Sequence, residues 1–152
     1  MPFTRIHVLE GRSDENRLRH VSTAVPDALI GVLKIPSDDF FQVIHVLPRN
    51  RFLHSPSFLG VRYSDDLILL GVAFISGRPR ETRLTLLKEL NAQIVERAGI
   101  SPDDLLIQLS QAPGENYSFG QGLAQRPFVA AGTVADGDVP LTPASVNGGE
   151  HD

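Results

Sequence analysis

Two stretches of the chain, Ile35-Pro36-Ser37-Asp38-Asp39-Phe40-Phe41 and Ile100-Ser101-Pro102-Asp103-Asp104-Leu105-Leu106, share one pattern at an offset of 65 residues. Each passes from an aliphatic residue through a Pro/Ser/Asp cluster to an apolar pair, the signature of a helix end, a tight joint and a strand start. Working outward from the first copy, residues 3–8 suit a strand, and Leu18, Val21, Val25, Ala28/Leu29 and Val32 recur at helical steps after the cap candidate Ser13. Residues 40–47, aromatic and β-branched, read as a second strand before Pro48. Around the second copy, residues 67–75 form an apolar strand and Leu84, Leu87, Leu90, Ile94 and Ala98 mark a helix stopped by Gly99. Residues 105–109 form the last strand.

The same offset carries the first strand and helix onto the third strand and second helix, so the reading is a duplicated β-α-β unit. The fold class is α+β: a four-stranded mixed sheet with two helices on one face. Within each unit the helix is the crossover that parallel strands require. With strands one and three as antiparallel neighbours, Pro2, Asp39 and the Arg78-Pro79-Arg80 turn meet at one sheet edge, and Asp103-Asp104 falls at the other. Pro26 conflicts with the first helix, where it removes a hydrogen bond and should kink the chain at a cost of about 3 kcal/mol.

The length of 152 residues suits one domain, expected over residues 2–126. Residues 127–152 are Pro- and Gly-interrupted, carry Asp136, Asp138, Glu150 and Asp152 with no Lys or Arg, and read as a disordered acidic tail. The net charge of −4 is therefore the tail's, and the body, with 14 charges of each sign, has no field to attract nucleic acid. No Cys is present, which excludes disulfides and thiol chemistry. The longest near-apolar run, residues 67–75, is far short of a membrane span, and the start lacks a signal-peptide stretch. The expected location is the cytoplasm. His7, His20, His45, His54 and His151 show no metal-ligand spacing, and no P-loop or Gly-x-Ser-x-Gly occurs.

Four features can carry chemistry. Removal of Met1 before the small Pro2 would free a secondary amine, able to act as a base near neutral pH or to attack a carbonyl; alternatively Pro2 merely follows the start. Arg78 and Arg80 flank a helix start, where cations are unfavourable unless an anion is present. They form either a carboxylate fork or a pair of solvated loop residues. Asp38-Asp39 either orients a reacting group or serves turn chemistry, as its repeat at Asp103-Asp104 suggests. Tyr117 and Phe119, in Tyr117-Ser118-Phe119-Gly120, either close a pocket or pack a subunit contact.

In this order and spacing, Pro2, Asp39, Arg78-Pro79-Arg80 and Tyr117-Ser118-Phe119-Gly120 resemble the tautomerase superfamily, and within it the malonate semialdehyde decarboxylase-like family. Leu9-Glu10-Gly11-Arg12, Gln42-Val43-Ile44-His45 and Gly120-Gln121-Gly122 extend the likeness to about Gln125. The resemblance implies a catalytic Pro2, a substrate polarised by Arg78 and Arg80, an acidic partner in Asp39 and an apolar wall from Tyr117 and Phe119. It also implies a homotrimer without cofactor or metal, acting on a small carboxylate. Decarboxylation of a 3-oxo acid such as malonate semialdehyde, with hydratase side activity, is the first expectation. Keto–enol tautomerisation of a 2-oxo acid such as phenylpyruvate is the second, and a non-catalytic trimeric binding or scaffold protein the third.

Overall fold

A computed structural model describes residues 1–127; the expected tail beyond Pro127 lies outside the described residues. The elements are β1 (Pro2–Leu9), α1 (Glu15–Leu33), β2 (Phe41–Leu47), β3 (Ser57–Phe58), β4 (Val61–Arg62), β5 (Ile68–Ile75), α2 (Arg80–Ala98) and β6 (Leu105–Ala112). The main sheet has the order β2-β1-β5-β6. β1 and β2 are parallel, as are β5 and β6, whereas β1 and β5 are antiparallel. The duplicated arrangement read from the two Asp-Asp joints is the observed one.

Alternation along the strands decides what each face meets. Ile6 and Val8 of β1, with Leu70, Val72 and Phe74 of β5, point at the helices and join one core with Val21, Val25, Leu29, Leu86, Leu90 and Ile94. Such side chains are buried to within 2% of complete, so truncating a Leu, Ile or Phe among them to Ala would cost about 2–5 kcal/mol. The buried stripe of α2 runs through Leu86, Leu90, Ile94 and Ala98, while Leu84, expected on that stripe, is 41% exposed. The cap of α1 is Asp14 rather than Ser13: its side chain accepts from Arg17 N at 2.7 Å. β6 runs three residues beyond the expected strand because Ser110, Gln111 and Ala112 pair with the end of β5.

The helix ends are tied across the duplication. Arg17, in the first turn of α1, donates through Nε to Ala98 O at the end of α2, at 3.2 Å. Arg78, just ahead of α2, donates through Nη1 to Leu33 O at the end of α1, at 2.8 Å. Each guanidinium meets the negative end of a helix dipole and satisfies a terminal carbonyl.

Pro26 does not break α1, which continues from Glu15 to Leu33. A proline at 26 has no N–H for the carbonyl of Ser22. That carbonyl instead accepts from Nε2 of Gln42, on β2, at 3.2 Å. Oε1 of Gln42 in turn lies 3.4 Å from the hydroxyl of the buried Thr4, which donates to Phe41 O at 3.1 Å. The sheet thus supplies the donor that the helix lacks.

The β3–β4 hairpin was not expected from the sequence. It turns at Leu59 and Gly60, both at positive φ (50° and 81°), a turn usually signalled by Asn-Gly. The second Asp-Asp pair serves this region: Asp103 accepts from Arg62 N at 3.2 Å, and buried Asp104 accepts from Ser64 N and Oγ at 2.7 and 2.6 Å. That pair is structural, at the edge away from Pro2.

The sheet face opposite the helices is covered by no element among the described residues and carries Phe41, Val43 and Leu106, each more than a third exposed. His7 and His45, paired in register on β1 and β2, meet edge to face there with ring centroids 4.7 Å apart. Partial burial, then the neighbouring charge of His45 and of Arg5, hold the His7 pKa below its ordinary value.

Two predictions follow from these contacts. In a double-mutant cycle read by urea unfolding, Gln42→Leu costs about 1–2 kcal/mol in the native background. It costs almost nothing beside Pro26→Ala, whose restored N–H serves Ser22 O; equal costs in both backgrounds would contradict the rescue. A depressed His7 pKa means that the unfolded chain binds more protons once the pH falls below about 6.5. The His7 contribution is therefore whole above that pH and lost as pH falls from there toward the folded-state value. Thermal melts of His7→Gln should lose part of the acid-side decline between about pH 7 and 5.

Candidate active site

Pro2 opens β1, is buried, and stands opposite Phe74 of β5. A proline lacks the ladder donor, and the first position of a strand is where a sheet tolerates it. The parallel register of β1 with β2 sets Phe3 beside Phe41, so the joint leading into β2 runs past the amino terminus. Within that joint Asp39 N donates to Pro36 O at 3.2 Å, closing a turn. The turn brings Asp39 Oδ2 to 3.6 Å from the amino group of Met1, with both groups largely shielded from solvent.

Two clefts open from this point. One, of about 410 Å³, is lined by Met1, Pro36, Asp38, Asp39, Phe41, Phe119 and Arg126. The other, of about 280 Å³, is lined by Met1, Phe3, Phe41, Tyr117, Ser118 and Phe119. The larger is within the size range of small-molecule sites, polar on the carboxylate side and aromatic on the other. A third space beside Pro2, between Thr4, Pro26 and Leu29, holds only about 10 Å³, too little for a substrate.

The aromatic wall is built by the chain after β6. Tyr117 and Phe119 stack with centroids 6.3 Å apart and planes 22° from parallel. The Tyr117 hydroxyl lies 3.4 Å from Phe74 O, the carbonyl of the residue paired with Pro2. Burial pushes the phenol pKa up, so Tyr117 remains a neutral donor at neutral pH. Gln125 closes the loop beyond: its Oε1 accepts from Phe119 N at 3.0 Å and its Nε2 donates to Gly120 O at 2.9 Å.

Pro2, Asp39, Tyr117 and Phe119 therefore converge, as the topology requires. Arg78 lies at the same sheet edge, a few residues past Phe74, and its Nη1 holds Leu33 O. Arg80 is exposed and begins α2, where Pro79 caps the helix without a side-chain bond and leaves the first backbone N–H groups available. Neither arginine is among the residues lining the two clefts at Met1. Phe41 and Arg126 do line them, and sequence reading missed both. Phe41 passed as an ordinary strand residue, although its exposure, 48%, is unusual for an aromatic beside a buried strand. Arg126 belongs to no periodic pattern and no motif, so nothing in the sequence marks it.

Comparison with known proteins fits this geometry. Family models described as tautomerase enzyme match residues 39–120 and 2–62. The probable tautomerase YusQ of Bacillus subtilis (strain 168) is 33% identical over 125 residues, covering 82% of this chain and 98% of the relative. The crystal structure of FG41 malonate semialdehyde decarboxylase inhibited by 3-bromopropiolate superposes with a TM-score of 0.72 at 29% identity, covering 81% of this chain and 92% of that one. A fused 4-OT symmetric trimer shares the fold with a TM-score of 0.66 at 18% identity, over 80% of this chain and 94% of that one.

The two arginines should separate experimentally. Arg78→Ala leaves Leu33 O without its donor and should lower unfolding stability by about 1–3 kcal/mol, measured in urea. Arg80→Ala, at an exposed helix start, should change it by no more than about 0.5 kcal/mol. Equal losses would remove the structural tether from Arg78.

Proposed function

The chain belongs to the tautomerase family, and from that premise we propose that its reacting group is the imino nitrogen of Pro2, freed by removal of Met1. The observation that carries this reading is the 3.6 Å approach of the amino terminus to Asp39 at the mouth of an aromatic-walled cleft. Trimming one residue moves the amine back by about 3.8 Å, to the start of β1. There it is held by the sheet and faces the same acid.

The substrate is a small oxo acid, and the main reaction is decarboxylation of a 3-oxo acid such as malonate semialdehyde. Cationic Pro2 donates a hydrogen bond to the C3 carbonyl oxygen. The C1–C2 bond breaks, its electron pair passes to C2 and the carbonyl, and carbon dioxide leaves. The resulting enolate takes a proton at C2 to give acetaldehyde. In the covalent variant the amine displaces water to form an iminium ion, which accepts the same pair as an enamine. Protonation at C2 and addition of water then release acetaldehyde and the amine. Arg78 and Arg80 hold the carboxylate; Asp39 orients Pro2 or a water, and the latter role would support hydration of an acetylenic acid. Tyr117 and Phe119 exclude bulk water. The likeness to the FG41 decarboxylase supports this reading.

The relation to YusQ favours a second reading, keto–enol tautomerisation of a 2-oxo acid such as phenylpyruvate. Neutral Pro2 would then take the enol hydroxyl proton, and a proton would be delivered to C3. The hydrogen-bonding route of decarboxylation and the tautomerase reaction make opposite demands on the charge of Pro2, whereas the covalent variant, like the tautomerase, begins from the neutral amine.

The exposed sheet residues Phe41, Val43 and Leu106 are assigned to contact between three copies, which the fused 4-OT trimer supports for this fold. No helix among the described residues is long and apolar enough to cross a membrane. The reading calls on no cofactor and places the enzyme in the cytoplasm.

Intact-mass measurement should find Met1 absent; its retention would end both readings. A ¹⁵N titration should find Pro2 cationic at pH 7, and Pro2→Ala should lower turnover of malonate semialdehyde at least about 100-fold. A neutral amine together with phenylpyruvate turnover would transfer the assignment to the tautomerase. Light scattering should give three times the monomer mass.

A further inference from the structure

Among the described residues, the lining of the 410 Å³ cleft includes one guanidinium, that of Arg126. Its Nη1 is shut off from solvent and has no hydrogen-bond partner among the described residues. A buried donor of a charged group left without an acceptor is costly, and such a group calls for a specific explanation.

Its place in the cleft is fixed by the backbone. Gln125, the preceding residue, is bonded at both ends of its side-chain amide to Phe119 and Gly120. Gly114, just past β6, receives the Arg126 carbonyl so closely that a Cβ at 114 would stand 1.7 Å from that oxygen. Only glycine allows the chain to return this near. The wall that carries Phe119 is thus folded back so that Arg126 faces the cleft bordered by Met1 and Asp39.

We infer that Arg126 binds the carboxylate of the substrate in this cleft, as a guanidinium additional to Arg78 and Arg80, neither of which lines it. The inference deepens the proposed function and rests on its reading of a small acid in this cleft. A guanidinium fork matches the two oxygens of a carboxylate, and a small turn of the side chain toward such a ligand would give Nη1 the acceptor it lacks. Phe119, on the same lining, then bounds the carbon skeleton. Asp38 and Asp39, on the same lining, repel the anion and bias its direction.

The test uses the full chain, free of Met1, with malonate as a non-reacting probe and neutral malonamide as control, binding being followed by NMR titration. Arg126→Gln should weaken malonate binding at least tenfold, Arg126→Lys less, and malonamide binding should not change. Gly114→Ala, which keeps the arginine but displaces its backbone and so its side chain, should also weaken malonate binding. Unchanged malonate affinity in Arg126→Gln, or equal loss for malonate and malonamide, would overturn the inference, as would failure of the native chain to bind malonate. A native chain that consumes no oxo acid but binds malonate through Arg126 would overturn the enzymatic reading and leave this one standing.

Discussion

The candidate site depends on the placement of Pro2, next to the amino terminus, as the first residue of an inner strand. β1 lies between β2 and β5, hydrogen-bonded on both sides, so the residue that begins it has little freedom. A terminus is ordinarily the part of a chain that frays. Here Pro2 is buried and its register with Phe74 is set by the whole antiparallel ladder. An amine freed at Pro2 would gain from this twice. Its position is fixed without a dedicated binding loop, and its neighbours come from strand ends and joints that the same sheet already holds at one edge.

The joint before β2 and the chain after β6 supply those neighbours, and they differ in kind. The first brings acid through a tight turn, with Asp39 at the amine. The second brings aromatics and returns a guanidinium over a glycine. Duplication produced two Asp-Asp joints, but the antiparallel union of the halves sends only one of them to the amine. The other accepts hydrogen bonds from Arg62 and Ser64 behind the hairpin. One local sequence thus serves a candidate reacting centre in one half and backbone satisfaction in the other.

How much of this was legible in the sequence follows from where the governing forces act. The strands, both helices and their order were readable because periodicity and the repeated joint act locally and agree with each other. The convergence of Pro2, Asp39, Tyr117 and Phe119 followed once the sheet order was inferred. Leu84 was misplaced because a leucine-rich helix offers several apolar stripes, and tertiary packing chose the one through Leu86. The tolerance of Pro26 was illegible, since its remedy is a side chain on β2 that faces the helix only in the folded state. Arg126 was illegible for the same reason: its position comes from a close backbone approach between residues far apart in the loop.

The reciprocal clasp of Arg17 on Ala98 and Arg78 on Leu33 bears on the modularity of the fold. Each half of the molecule finishes its helix with a guanidinium borrowed from the other. Cutting the chain between the halves would strip both helices of their terminal partner at a stroke, and neither fragment holds the missing group in the right place. The two pieces are therefore complementary rather than autonomous, and a half-length polypeptide of this design would reach closure only by embracing a second copy of itself.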